Sequence, residues 1–85
     1  MAGAVSTHDM VHAYIMVTTG TGVSEATVEA IRSLPTVSEA HIIAGEYDIV
    51  TEVDVEEVYE VLHTAASAIQ SLDGVIETRT YVALE

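Results

Sequence analysis

The chain has 85 residues, the size of one small domain, and 49% of them are hydrophobic. Its two arginines face 14 acidic residues, which gives a formal net charge of −12, and it contains no cysteine. These values argue against disorder and against nucleic-acid binding by this chain alone, because phosphate neutralisation needs cations. They exclude disulfides, cysteine-ligated zinc and thiol redox sites.

The charge balance also predicts a setting for the protein. A lysine-free chain of charge −12 repels itself at low salt, and the Debye length falls to about 3 Å near 1 M salt. The composition is therefore typical of a halophile, with an ordinary acidic protein as the alternative. No apolar run reaches the ~18–20 residues of a spanning helix, and the N-terminus lacks a secretory signal, so we expect a cytoplasmic protein.

The first half of the chain predicts a strand, a helix and a second strand. Residues 1–9 show no periodicity and are expected to be a tail or an expression remnant, outside a single domain of residues 10–85. The first strand is His12–Thr19, and Ser24 is the predicted N-cap of a helix that Pro35 ends. The second strand is Val37–Ala44.

The second half repeats this order. A turn at Gly45 leads into a third strand, Tyr47–Val53, so that the second and third strands form a hairpin. Asp54 is the predicted N-cap of a second helix with apolar residues at three-to-four spacing. Gly74 suits a left-handed residue after that helix, and Val75–Leu84 is the last strand.

The order β-α-β-β-α-β predicts an α+β, ferredoxin-like fold with a four-stranded antiparallel sheet and both helices on one face. The other face needs a partner, because the first strand is apolar on both sides. Tyr14 and Met16 alternate with its core-facing residues, and Tyr81 has the corresponding parity in the last strand. We therefore expect a homodimer that joins sheet to sheet through these three residues. An ordinary apolar surface patch is the alternative.

Three stretches together resemble a known family. They are Ala13–Val17, the hairpin Ala44–Val50 and the closing Gly74–Leu84. Their motifs, G-x-Y-D and G-V-x-x-T-x-T-x-x-x-L, look like those of the effector-binding domain of the Lrp/AsnC transcription regulators, also called the RAM domain. Full regulators of that family carry an N-terminal helix-turn-helix domain, whereas only nine residues precede the expected domain here. The chain therefore resembles a stand-alone RAM domain without its own DNA-binding domain.

The resemblance implies partners and a ligand. It implies sheet-to-sheet dimers, rings of dimers that are commonly octamers or decamers, and amino-acid effectors at the junctions between dimers. A full-length DNA-binding relative is a further expected partner. Direct nucleic-acid contact, a membrane and a cofactor are not expected.

The candidate effector site lies in the hairpin and the last strand. Glycine leaves backbone N–H groups open to a carboxylate, an aspartate can hold an ammonium group, and a tyrosine can wall a side-chain pocket. The predicted effector-binding residues are Gly45, Glu46, Tyr47, Asp48, Thr78 and Thr80. The alternatives are ordinary hairpin chemistry for the first four and the strand preference of threonine for the last two.

The residues offer little for catalysis or metal binding. The four histidines form no persuasive ligand pair on a helix, and no metal site is predicted. Cysteine and lysine nucleophiles are absent from the sequence, so we expect no enzyme. We predict an amino-acid-binding regulatory module that acts by effector-linked assembly or by co-assembly with a DNA-binding regulator. A structural oligomerisation module, an ACT-like domain that pairs side by side and a ferredoxin-like monooxygenase are the alternatives.

Overall fold

A computed structural model describes residues 10–85, and the expectation for residues 1–9 lies outside that range. The described chain forms a four-stranded antiparallel sheet in the order β2-β3-β1-β4, with two helices on one face. This confirms the predicted ferredoxin-like fold. The elements are β1 (Val11–Thr19), α1 (Ser24–Arg32), β2 (Val37–Ile42), β3 (Ile49–Val55), α2 (three consecutive segments, Val58–Glu60, Val61–Ala66 and Ser67–Gln70) and β4 (Val75–Val82).

The core fills the space between the sheet and the helices. Alternate residues of β1, namely Ala13, Ile15 and Val17, are fully buried, because successive side chains of a strand point to opposite faces. The other buried apolar residues complete the same cluster: Val28, Ile31, Ala40, Ile49, Val53, Val55, Val61, Ala65, Ala66 and Ile69. The open face of the sheet therefore consists of the intervening residues of each strand.

The beginning of α1 differs from the sequence prediction. Ser24 is the first helical residue, and the N-cap position belongs to Val23, without a side-chain cap. The Ser24 Oγ instead lies 2.7 Å from the Thr19 Oγ1, where it ties the helix to the end of β1. The helix ends at Arg32, before Pro35, because a proline restricts the backbone that precedes it.

The beginning of α2 differs too, since Asp54 is not its N-cap. Asp54 lies inside β3, and the N-cap is Glu57, which forms a reciprocal capping box with Glu60. The middle segment of α2, Val61–Ala66, is a π-helix, which the apolar spacing alone did not predict. Within residues 10–85, neither helix is long and apolar enough to cross a membrane.

The two outer strands of the sheet have different edges. Ile43 N–H donates to the Asp48 carbonyl at 2.9 Å, so the alternating antiparallel ladder directs the Ala40 backbone groups away from β3. The Arg32 guanidinium donates to that Ala40 carbonyl from both Nε (3.0 Å) and Nη2 (2.8 Å). Arg32 thus occupies the outer edge of β2 from the end of α1.

Candidate functional site

The hairpin between β2 and β3 is fastened to the end of β1 by Asp48. The Asp48 Oδ2 accepts a 2.8 Å hydrogen bond from the Thr19 N–H, and the Asp48 N–H donates to the Val17 carbonyl at 2.9 Å. The connection is longer than predicted, since β2 ends at Ile42 and β3 begins at Ile49. One carboxylate oxygen of Asp48 therefore holds the loop in place, which is the structural role that the sequence left open for it.

The Tyr47 side chain brings the hairpin to β4. Burial, the first cause, raises the pKa of the half-buried Tyr47 phenol, and the neighbouring Tyr81 hydroxyl and Glu46 carboxylate raise it further. Arg79 opposes that shift as a nearby cation. Arg79 is itself only loosely paired, with its Nη2 3.7 Å from the Glu77 carboxylate. The Tyr47 phenol therefore lies close to the Tyr81 hydroxyl, and Arg79 and Glu46 are near enough to influence its charge.

Thr78 and Thr80 lie on the other side of the same strand. Thr78 is paired in register with Val17 and Thr80 with Ile15, so both point to the helix-covered face. Both are half-buried, and the Thr78 hydroxyl accepts a 2.8 Å hydrogen bond from the Gln70 side chain of α2. Tyr47 and the two threonines thus lie on opposite faces of the sheet.

The outer edge of β4 lies between the tyrosine–arginine group on one face of the sheet and the two threonines on the other. The Ala83 N–H donates to the His12 carbonyl at 2.9 Å, and alternation along the ladder then directs the backbone N–H and C=O of Thr78 and Thr80 away from β1. Among the strands formed by residues 10–85, β4 is the outermost on that side of the sheet. A small molecule at this edge could contact backbone donors, the tyrosine–arginine group on one side and the threonines on the other.

The remaining predicted residues lie in the exposed part of the hairpin. Glu46 is exposed, and Gly45 has a φ of +153°, a conformation that side-chain-bearing residues rarely adopt. Sequence reasoning missed Arg79 as a candidate. Its signal was present, because Arg79 is one of two cations in the chain and stands between the two predicted threonines.

The three residues predicted for a dimer interface are neighbours on the open face. Tyr14 and Tyr81 are directly opposed in the β1–β4 register, and Met16 follows on β1. Tyr14 is 39% exposed and Tyr81 54% exposed, whereas Met16 is half-buried. The three residues therefore lie on the same face of the sheet, as predicted from strand alternation. The dimer itself stays a prediction.

A charged cluster borders this aromatic surface. The His12 Nδ1 lies 2.6 Å from the Asp54 Oδ1, and the His12 Nε2 lies 3.1 Å from the Glu52 Oε1. The hydrogen bond with Asp54 is the main cause that raises the pKa of His12, against a lowering by burial. The same bond lowers the pKa of Asp54. Sequence reasoning did not find the cluster, because its two acids lie on β3, 42 and 40 residues further along the chain.

Among residues 10–85, no group of three or more His, Asp or Glu side chains is arranged to hold a metal ion.

Comparisons with known proteins agree with the fold. The sequence model of the Lrp/AsnC ligand binding domain matches residues 12–85. The chain belongs to this family. The Lrp/AsnC match includes every element of the sheet, the hairpin and the β4 edge, so all six predicted site residues lie inside it. The family is one of regulatory domains, which agrees with a protein that is not an enzyme. The comparison with curated proteins gives no match.

Solved structures place the Lrp/AsnC domain in context. A Thermus thermophilus protein is 33% identical, with a TM-score of 0.83, and the match covers 89% of this chain and 95% of that one. Escherichia coli AsnC shares the fold at 23% identity and a TM-score of 0.82, over 100% of this chain and 60% of AsnC. A Neisseria meningitidis transcriptional regulator in complex with L-Met shares the fold at 18% identity and a TM-score of 0.77, over 100% of this chain and 58% of that one.

Proposed function

We propose that this Lrp/AsnC domain binds a free amino acid at the edge of β4 and acts as a regulatory module through effector-linked assembly. The main observation behind this proposal is that Tyr47 and Glu46 of the hairpin lie near Arg79 and Tyr81 of β4. A free amino acid presents a carboxylate, an ammonium group and one variable side chain. The hairpin and β4 offer a partner for each of these three parts.

The chemistry of each contact follows from the donors and acceptors present. Arg79 and the outward N–H groups of Thr78 and Thr80 can donate to the ligand carboxylate, and a charge-assisted bond of this kind is stronger than a neutral one. The Glu46 carboxylate can accept from the ammonium group. Asp48 supports the site indirectly, by holding the hairpin against Thr19.

Two further observations support an amino acid as the ligand. The Neisseria regulator that shares this fold was solved with L-Met bound. The β4 edge is open, so one chain would enclose a ligand on one side only. A second copy would complete the enclosure, which links binding to assembly by the difference in ligand affinity between the two states.

Isothermal titration with each of the common amino acids tests the ligand. We expect heat for at least one of them, reduced at least about tenfold in affinity by Arg79→Gln and less strongly by Tyr47→Phe. Tyr59→Phe is the matched control, because Tyr59 is 60% exposed on α2 and lies beside His63. Absence of heat with every amino acid at high protein concentration would favour a structural module without an effector.

We further propose that the open face of the sheet packs against the same face of a second copy of this chain. Tyr14, Met16 and Tyr81 supply a contiguous aromatic and apolar centre, and related domains of small size gain stability by burying such a face. Light scattering after size exclusion in concentrated KCl tests the mass, with and without amino acids. A Tyr14→Ser, Tyr81→Ser variant should remain monomeric. Side-by-side pairing that survives this variant would favour an ACT-like arrangement.

Co-assembly with a DNA-binding relative extends the same proposal. A full-length Lrp/AsnC regulator would bring the DNA contacts that this acidic chain, with two arginines, does not supply. Mixing the chain with such a regulator should shift the regulator's mass and its operator affinity together. If the Tyr14→Ser, Tyr81→Ser variant also shifted the regulator's mass, the open face would not be the surface that binds the regulator.

A further inference from the structure

We propose that His12 is a built-in counter-ion of the open face, so that this face joins a second copy while His12 is protonated and separates from it as the pH rises. The inference rests on the proposed dimer and adds its regulation. It assigns a role to a cluster that neither the fold nor the effector site uses.

The geometry of the cluster defines its protonation state. Both ring nitrogens of His12 face carboxylate oxygens, Nδ1 at 2.6 Å from Asp54 and Nε2 at 3.1 Å from Glu52. An ionised carboxylate only accepts hydrogen bonds, so both bonds form together only when both nitrogens carry a proton. The arrangement is therefore that of an imidazolium between two carboxylates.

Among residues 10–85, the charged groups that contact His12 are acids, and no second cation lies beside them. From β3 it meets Glu52 and Asp54, and on its own strand the ring of Tyr14 lies edge-on at 5.0 Å. Glu85, at the end of the chain after β4, lines the same surface groove as His12. From β2, Ser38 contributes a neutral hydroxyl beside Asp54. His12 is thus the one group in this cluster that can supply positive charge.

The cluster lies on the face that the dimer would cover. His12 is paired in register with Asp54 and is two residues from Tyr14, at the border of the aromatic centre. Its side chain is 31% exposed, so water still reaches the ring in a single chain. A second copy placed on this face would exclude that water and strengthen every charge interaction within the cluster.

The cost of covering the face then depends on one proton. With His12 charged, the trio of His12, Glu52 and Asp54 carries a net charge of −1 in each copy. With His12 neutral it carries −2, and two copies bring four unpaired carboxylates into one interface. Like charges placed opposite each other in an interface oppose association, and buried unpaired carboxylates are strongly unfavourable.

The direction of the pH effect follows from this charge count. The neighbouring carboxylates already raise the pKa of His12 above its ordinary value of 6.5 in a single chain. Covering the face favours the charged form further, so the dimer holds the proton more tightly than the monomer. The affinity is complete below the pKa of His12 in the monomer and is lost as the pH rises through the higher pKa of His12 in the dimer.

Sedimentation equilibrium at constant KCl concentration tests the inference. Between about pH 6 and about pH 9 the dissociation constant of the natural chain should rise by about tenfold or more. His12→Gln should give the weak value at both pH values, whereas His63→Gln should behave as the natural chain. His63 is the matched control because it is exposed on α2, beside Tyr59 and away from the open face.

A further variant protects the test against loss of fold. The triple variant His12→Gln, Glu52→Gln, Asp54→Asn removes all three charges and should dimerise equally at both pH values. A natural chain that dimerises with one constant across this range would overturn the role of His12 and leave the dimer intact. A chain that stays monomeric in every variant and at every pH would overturn the proposed dimer itself.

Discussion

The two faces of the sheet use the same strands for different purposes. In β1, Ala13, Ile15 and Val17 are fully buried under the helices, while His12, Tyr14 and Met16 keep part of their surface accessible. The covered face contains the apolar core, whereas the open face presents imidazoles, carboxylates, tyrosines and an arginine. Alternate residues of one strand therefore separate the stability of the fold from its interactions.

Neighbouring substitutions in β1 should show the largest contrast between the faces. Ile15→Ala opens a cavity in the fully buried centre and should lower the free energy of unfolding by about 2–5 kcal/mol. Tyr14→Ala removes a side chain that is 39% exposed and should cost the single chain much less while it weakens self-association. Urea unfolding at low protein concentration measures both. Equal losses for the two variants would contradict the division between the faces.

The covered side also restricts the turn before β4. Gly74 has a φ of +92°, and an added Cβ would lie 2.5 Å from the Thr27 Oγ1 of α1. Gly74→Ala should therefore destabilise the chain by about 1–3 kcal/mol, since it combines backbone strain with a steric clash.

Gly22→Ala is the control for this close approach. Gly22 has a φ of +78°, but no atom outside its chain neighbours lies within 4 Å of the added Cβ. Its cost should be limited to the backbone term, about 1 kcal/mol. Thermal unfolding of both variants separates the clash from the backbone effect, and a smaller loss for Gly74 than for Gly22 would argue against tight packing there.

One polar atom interrupts the covered face and can be removed. The Thr51 side chain is fully buried between Ala40 and Ile15 in the register, and its Oγ1 has no hydrogen-bond partner among residues 10–85. Thr51→Val keeps the shape and removes the unpaired hydroxyl, so it should raise the free energy of unfolding by about 1 kcal/mol. Thr80→Val, on the same side but half-buried, is a comparison that should change stability less.

The smallest expected effect is the pH dependence of the open face in a single chain. The pKa of His12 is raised by Asp54, so its contribution to stability is present below pH 6.5 and is lost as the pH rises through the folded value. The contribution should stay below about 1 kcal/mol because the cluster is partly exposed. Unfolding at several pH values, compared with His12→Gln, measures it, and a flat difference between the two chains would contradict it.

The sequence predicted the order of elements because local signals mark each boundary. Glycines and Pro35 separate the segments, and apolar residues repeat at helical or strand spacing between them. The errors arise where a contact with a residue far away in the sequence determines the local structure. Asp54 has the composition of an N-cap, but its carboxylate binds His12 on another strand and leaves the cap to Glu57.

The sequence motifs suggested members of the candidate site but not how they are arranged. The hairpin motif suggested Tyr47, and the last strand suggested Thr78 and Thr80. Their separation onto two faces depends on the β1–β4 register and on a hairpin longer than the sequence indicated. Arg79 was overlooked because a single arginine in a strand has no local signature. Its significance appears only when Tyr47 reaches it from the hairpin.

The position of Arg32 limits how far the sheet can grow. A ribbon that extends without end needs two open edges on every unit, one to accept a strand and one to offer it. Arg32 occupies the outward carbonyl of Ala40, so an added strand would lose a regular hydrogen bond there, and among residues 10–85 β4 is the edge better suited to strand addition. We therefore expect Arg32 to disfavour the joining of native sheets through β2.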